Sequence, residues 1–237
     1  MDRPRLLILT AVMIEARAVA RALGIDCPGP GRPAVAIVEG LPVELHVIGI
    51  AGKGLGEVRP RESPSVVIMA GLAGGLDPSL KIGDVVIDGG GEGSISSAAC
   101  RPGRIHTSRG IVSSPQEKAD LFLTTGALAV DMENDIVREW ARRRDAGFIA
   151  IRAISDRADH SLDGTMLHMV DEWGRVRVPL LVRGLVTRRR LLPQLLRLGA
   201  DSKKAAMQLG TAVQELIFAV SSRKSGNTKS ARAVTEG

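Results

Sequence analysis

GLAGGLDPSLKIGDVVI, from Gly71 to Ile87, follows directly on the apolar run VVIMA of residues 66–70. A buried strand that runs into Gly71, Gly74 and Gly75 reads as the carboxyl end of a sheet strand, where missing side chains let backbone amides approach a ligand. Ala73 and Gly74 are therefore expected to touch that ligand, although a plain tight turn would carry the same residues. After the turn, residues 85–87 form the next strand. Upstream, apolar β-branched or Leu-rich runs at residues 6–13, 34–38 and 43–50 read as further strands. Between the first two, EARAVARAL at residues 15–23 has the apolar spacing and the helix formers of an α-helix. This β–α–β opening predicts an open, mostly parallel sheet covered by helices.

Downstream, residues 89–114 are rich in Gly, Ser and charge and read as a long loop ending in a short strand at Ile111 and Val112. A helix is expected over 116–123, a strand over 127–130, a helix over 131–144 and a strand over 148–154. After Asp163 the chain reads as helical. Its last helix, 202–220, presents Ala205, Ala206, Leu209, Ala212, Val213, Leu216 and Ile217 on one face. The polar Gly/Ser/Lys-rich tail, 221–237, reads as disordered. The expectation is a single α/β domain over residues 1–220, a mixed central sheet flanked by helices.

The 237 residues, 44% hydrophobic, suffice for one sizeable core. Two cysteines, Cys27 and Cys100, without CxxC or Cys/His spacing, argue against a disulfide scaffold or a structural zinc site and fit a reducing, cytoplasmic setting. Arg3 and Arg5 before the apolar run of residues 6–14 imitate a short signal peptide, but a first strand entering a helix explains the same pattern. No apolar run approaches the roughly 20 residues that span a bilayer. The net charge is +6, and from Gly174 to Ala200 there is no Asp or Glu while seven arginines, Arg175 to Arg197, crowd the stretch. With 2% aromatic residues and no Tyr, stacking platforms for nucleic acid are missing. Peripheral contact with an anionic membrane is the alternative to a merely solvated basic face.

GKGLG at residues 52–56 matches neither the Walker loop nor a GxGxxG opening a long helix, because Pro60 and Pro64 follow, and reads as a tight turn near a ligand. AVDMENDIV at 129–137 carries a strand into a helix with Asp131 and Glu133 at its start, where acids commonly serve only as caps. RAISDRAD at 152–159 puts Ser155 and Asp156 just past a strand, where open α/β sheets bind ligands. Asp156, Asp159, His160 and His168 match no metal-ligand spacing.

Taken together, GLAGGLDPSLKIGDVVI, VDME and RAISDRAD resemble, in order and spacing, the nucleoside phosphorylase and nucleosidase superfamily over about residues 5 to 160, and most of all the methylthioadenosine/S-adenosylhomocysteine nucleosidases. SSPQEKADLFLTTGALAVDMEN, MVDEWGRVRVP and LLPQLLRLGADSKKA are similar to the hopanoid-associated branch, the adenosylhopane nucleosidases, to about residue 219. The resemblance implies a nucleosidase that releases adenine from an adenosyl compound without metal or cofactor, in a homo-oligomer. The 5′ substituent is a lipid if the hopanoid branch is right. A nucleosidase for methylthioadenosine or adenosylhomocysteine, a purine phosphorylase and a non-catalytic nucleoside-binding protein stay open.

Residue by residue, the resemblance makes Asp156 the acid at the purine N7, which requires a protonated carboxyl when substrate is bound, a form that a closed pocket favours. Ser155 orients it. Glu133 receives the ribose hydroxyls, Met132 packs on the sugar, and Glu15 is the base for water, with Arg152 a partner for the water or for Glu15. Val112 aligns with the position whose backbone reads the adenine edge. Two departures stand out: Leu72 replaces a Ser of the methylthioadenosine nucleosidases, and residues 56–65 are shorter and richer in Pro than the family's helix there. The strand before the glycines carries Met69 and no basic residue, so a phosphate dianion lacks its cationic partner and water is the expected nucleophile, with Arg59 and Arg61 the nearest arginines able to fold back.

Overall fold

The computed structural model describes residues 3–89, 100–161, 171, 173–174 and 191–232, with side chains in the last segment described for residues 196–222. One sheet organises them. Its strands are β1 (Leu6–Thr10), β2 (Ala34–Val38), β3 (Leu41–Val47), β4 (Val66–Gly75), β5 (Val85–Gly89), β6 (Cys100–Pro102), β7 (Ile105–Thr107), β8 (Ala129–Asp131) and β9 (Gly147–Asp156). The order across the sheet is β2-β3-β1-β4-β9-β5-β6, with β8 paired to β4 and β7 to β8. β1, β3, β4 and β9 run parallel, whereas β2, β5 and β8 join their neighbours β3, β9 and β4 antiparallel, so the sheet is mixed.

All five residues of β1 are buried because helices cover both faces, which explains its unbroken apolar run. On one face Leu6, Ile8, Ile68 and Ile151 pack under α1 (Met13–Leu23) and the last helix, α4 (Leu191–Arg232). On the other, Leu7, Leu9, Val67 and Met69 pack under Val137 and Ala141 of α3 (Asn134–Arg142). The face of α4 read from the sequence is the buried one, and all seven of its apolar residues lie in the core. The two helices α1 and α4 approach closely at Gly210, where a Cβ would stand 2.7 Å from the Ala18 carbonyl oxygen.

Four expectations are corrected. The strand expected over residues 66–70 does not give way to a tight turn at the glycines: residues 71–75 continue β4, held by β9 on one side and by Gly74–Val130 and Gly75–Ala129 pairing on the other. The short strands before α2 (Pro115–Thr125) are β6 and β7, and Ile111 and Val112 lie outside any strand. Asp131 ends β8 instead of opening a helix, because its carboxylate accepts the Asn134 N–H at 3.0 Å and caps α3 from outside. The helix also runs on past Ser221 to Arg232, where composition reads as a disordered tail. Ser221 Oγ donates to the Glu39 carbonyl at 2.8 Å, which ties this turn of the helix to the end of β2. Arg175, Arg177, Arg183, Arg188, Arg189, Arg190 and His168 lie outside the described residues. No described helix is long and apolar enough to cross a membrane.

Candidate active site

The carboxyl ends of β1, β4 and β9 and the end of β8 converge on a cavity of about 270 Å³. It is lined by Glu15 from α1, by Ala73 and Gly74 from β4, by Met132 and Glu133 after β8, by Ser155 and Asp156 from β9, and by Val112. Eight of the nine residues singled out in the sequence thus share one cavity. Arg152 lies behind it, fully buried.

Glu15 sits in the first turn of α1, where its Oε2 accepts the N–H groups of Ala11 and Val12 at 2.9 and 3.0 Å. Its Oε1 accepts the Leu72 N–H at 2.8 Å. Burial pushes this carboxyl up to about 7, and the Glu133 charge adds to the rise; the Arg152 charge and the amides of Leu72 and Val12 pull the other way. A carboxylate that titrates near neutrality suits a general base.

Arg152 Nη2 donates to Asp131 Oδ2 and lies 3.5 Å from Glu133 Oε2. Burial disfavours its charge, yet Asp131, Glu133 and Glu15 hold the guanidinium protonated. Gly71 makes room for it, since a Cβ there would overlap Arg152 Nη1 and come 3.0 Å from Glu15 Oε1. Arg152 therefore serves the carboxylates, not the cavity, which narrows its expected role to a partner of the acidic cluster. Glu133 is also pushed up, first by burial and then by the Asp131 charge, against Arg152 and the Ala51 amide.

Asp156 is reached from three directions. Ser155 Oγ donates to its Oδ1 at 3.1 Å and lies 3.3 Å from the Ala73 carbonyl. Gly74 leaves space for the carboxyl, a Cβ there falling 3.1 Å from Oδ2. The third contact was not foreseen: Lys118 Nζ, on α2, donates to Oδ2 at 2.5 Å.

The turn after β3 also belongs to the site. Ile50 lines the cavity, and Ala51, at φ 54, aims its N–H at Glu133 Oε1 at 2.8 Å. A non-glycine residue in the left-handed region is strained, and here the strain delivers an amide to a site carboxylate. The signal was GKGLG at residues 52–56, read in the sequence as a tight turn near a ligand. Arg59 folds back onto its own loop, donating to the Gly56 and Val58 carbonyls at 2.6 and 3.0 Å, and neither Arg59 nor Arg61 lines the cavity. Asp159 pairs with Arg157 at 2.8 Å.

A model of the phosphorylase superfamily matches residues 92–186. No curated protein matches the chain. Among solved structures, the 5′-methylthioadenosine/S-adenosylhomocysteine nucleosidase of Helicobacter pylori is similar with a TM-score of 0.64 at 17% identity, covering 92% of this chain and 99% of that one. The corresponding nucleosidase of S. pneumoniae, solved with a transition-state inhibitor, gives 0.65 at 15% identity over 91% and 99%. The futalosine hydrolase of Helicobacter pylori gives 0.62 at 17% identity over 90% and 97%. The chain has the fold of these proteins along nearly its whole length.

Proposed function

We propose that the chain is a nucleosidase that hydrolyses the N-glycosidic bond of an adenine nucleoside and releases adenine. The observation that carries this reading is the convergence of Glu15, Glu133 and Asp156 on one cavity, in a fold shared with nucleosidases. In the reaction the C1′–N9 bond breaks and its electron pair moves into the purine, which takes a proton at N7 from Asp156. Water attacks C1′ and yields its proton to Glu15, so a proton gained by the base balances the one given by the acid. The sugar carries positive charge as the bond breaks. Around it stand Glu15, Asp131 and Glu133 against the single guanidinium of Arg152, an excess of negative charge fixed in place before the reaction begins. Glu133 receives the ribose hydroxyls, Met132 packs on the sugar and the Val112 backbone meets the purine edge.

Water as nucleophile is supported by the lining: none of the described residues around the cavity is Lys or Arg, and a phosphate dianion would find no cationic partner there. The finer substrate we propose is an adenosyl lipid of the hopanoid kind. Support comes from the sequence resemblance, from the apolar lining at Val12, Ile50, Leu72 and Ile111, and from the acid-free arginine stretch 174–200, suited to an anionic membrane surface. On this reading the enzyme works in the cytoplasm, at the membrane face, as a homo-oligomer. The test is incubation with methylthioadenosine, inosine and an adenosyl-hopanoid extract, with and without phosphate, scoring free base. Absence of base from all three overturns the nucleosidase; release from methylthioadenosine but not from the lipid overturns the finer substrate alone.

A further inference from the structure

Lys118 has no part in the roles assigned so far, yet its side chain is fully buried. The local sequence explains how it gets there. Ser114 and Glu117 cap α2 reciprocally, Ser114 Oγ accepting the Glu117 N–H at 3.2 Å and Glu117 Oε2 accepting the Ser114 N–H at 3.1 Å, with Pro115 in the first turn. This fixes the start of the helix and turns Lys118 toward the end of β9. There Nζ donates to Asp156 Oδ2 at 2.5 Å, to the Arg157 carbonyl at 2.7 Å and to the His160 carbonyl at 3.1 Å. An ammonium has three N–H donors, and all three are used.

The other groups around Asp156 leave this ammonium as its direct charged partner. Ser155 meets Oδ1, while Gly74 of β4 and Val130 of β8 bring no charge. Arg157 and Asp159 in the following turn pair with each other at 2.8 Å, and His160 Nε2 lies 3.9 Å from Asp159 Oδ1 and 3.4 Å from Arg197 Nη2. The remaining lining acids, Glu15, Asp131 and Glu133, group about Arg152.

We propose that Lys118 is a positioning residue for Asp156, fixing the orientation in which its carboxyl meets the purine. This rests on the nucleosidase reading. The ammonium anchors one carboxyl oxygen to α2 and leaves the other to Ser155.

The test compares kcat and KM for adenine release from methylthioadenosine, or from the adenosyl-hopanoid extract if only that is cleaved, by the wild type, K118M, K118Q and K118R, with unfolding temperatures recorded for each. K118M and K118Q lower kcat by about a hundredfold and leave KM within about twofold, because a misplaced acid costs the chemical step and not the binding of substrate. K118R, which can still donate to Oδ2, regains most of that loss. A folded K118M or K118Q with wild-type kcat overturns the inference. Should both fail to fold, a folded K118R no more active than D156N overturns it as well. A wild type that releases no adenine from either substrate, or a D156N variant as active as the wild type, defeats the functional reading, and the inference falls with it.

Discussion

Glu15 Oε1 accepts the Leu72 N–H at 2.8 Å across 57 positions of sequence, so the first turn of α1 and the glycine-rich end of β4 are joined at the carboxylate. Leu72 occupies the place where the sequence resemblance leads one to look for a Ser, but it is the backbone of this position that holds Glu15. The hydroxyl can be lost while the Glu15 carboxylate stays aligned. Because burial raises this carboxyl to about 7, and only its ionised form can take a proton from water, kcat/KM should climb about tenfold per pH unit below that point and level off above it. E15Q should lower turnover by at least about a hundredfold and remove the acid limb. A pH–rate profile that keeps this limb in E15Q would assign the base elsewhere.

The same group makes folding pH-dependent. Its folded value of about 7 lies above the ordinary 4.5, so between these limits the folded chain binds more protons at Glu15 than the unfolded chain does. The contribution is therefore fully present below about 4.5 and is lost as pH rises through about 7. At 1.36 kcal/mol per unit it amounts to about 3 kcal/mol. Urea unfolding at pH 5 and pH 8 should show E15Q losing less stability over this interval than the wild type. Equal losses would mean that Glu15 is hydrated when folded.

The acid proposed for the glycosidic step gives a third expectation. D156N keeps the shape of the carboxyl and its contact with Ser155 but has no proton of comparable acidity to give, so turnover should fall by at least about a hundredfold. It also leaves the buried Lys118 ammonium facing an amide instead of a carboxylate, at a cost of about 3–5 kcal/mol that the double variant with K118M should relieve. Base release should be indifferent to phosphate, and ribose-1-phosphate among the products would redirect attention to Arg59 and Arg61.

What could be read from the sequence divides along physical lines. Glu15, Glu133 and Asp156 were picked out by the family resemblance of their motifs; Glu15 and Asp156 stand at the carboxyl ends of β1 and β9, which run parallel to β4, and Glu133 follows β8, which runs antiparallel to it. The apolar face of α4 was legible from its helical period. Lys118 was not, since a lysine among Gln, Glu and Asp on a polar helix has the pattern of a solvated residue, and only the packing of α2 against the turn after β9 reveals its three acceptors. The Ala51 amide was hidden for another reason: its left-handed φ belongs to residue types other than Ala, and the sequence has no sign of it beyond neighbouring glycines. The extent of β4 was misjudged because glycines normally punctuate strands, whereas here pairing on both sides keeps them extended.

The last expectation concerns Gly71 and separates the support of the acidic cluster from its chemistry. The absence of a side chain at this position lets the Arg152 guanidinium pass beside Glu15 to reach Asp131 and Glu133. A methyl group in G71A would overlap Nη1, and the guanidinium cannot retreat freely because it is buried and ion-paired. Overpacking of this kind costs about 1–3 kcal/mol, so the unfolding temperature should fall. Turnover should fall further than stability alone accounts for. A displaced guanidinium leaves Glu15 and Glu133 less compensated, favouring their protonated forms, and misplacement on the scale of 1 Å near reacting groups lowers rates by about a hundredfold. In G71A the acid limb of the pH–rate profile should therefore move to higher pH, whereas a variant that merely loosens the sheet would leave it where it is. R152M should move it in the same direction and cost about 3–5 kcal/mol, since it leaves buried carboxylates without their cation. If G71A and R152M both fold and both keep the wild-type limb, the guanidinium does not govern the base, and the elevated value at Glu15 belongs to burial alone.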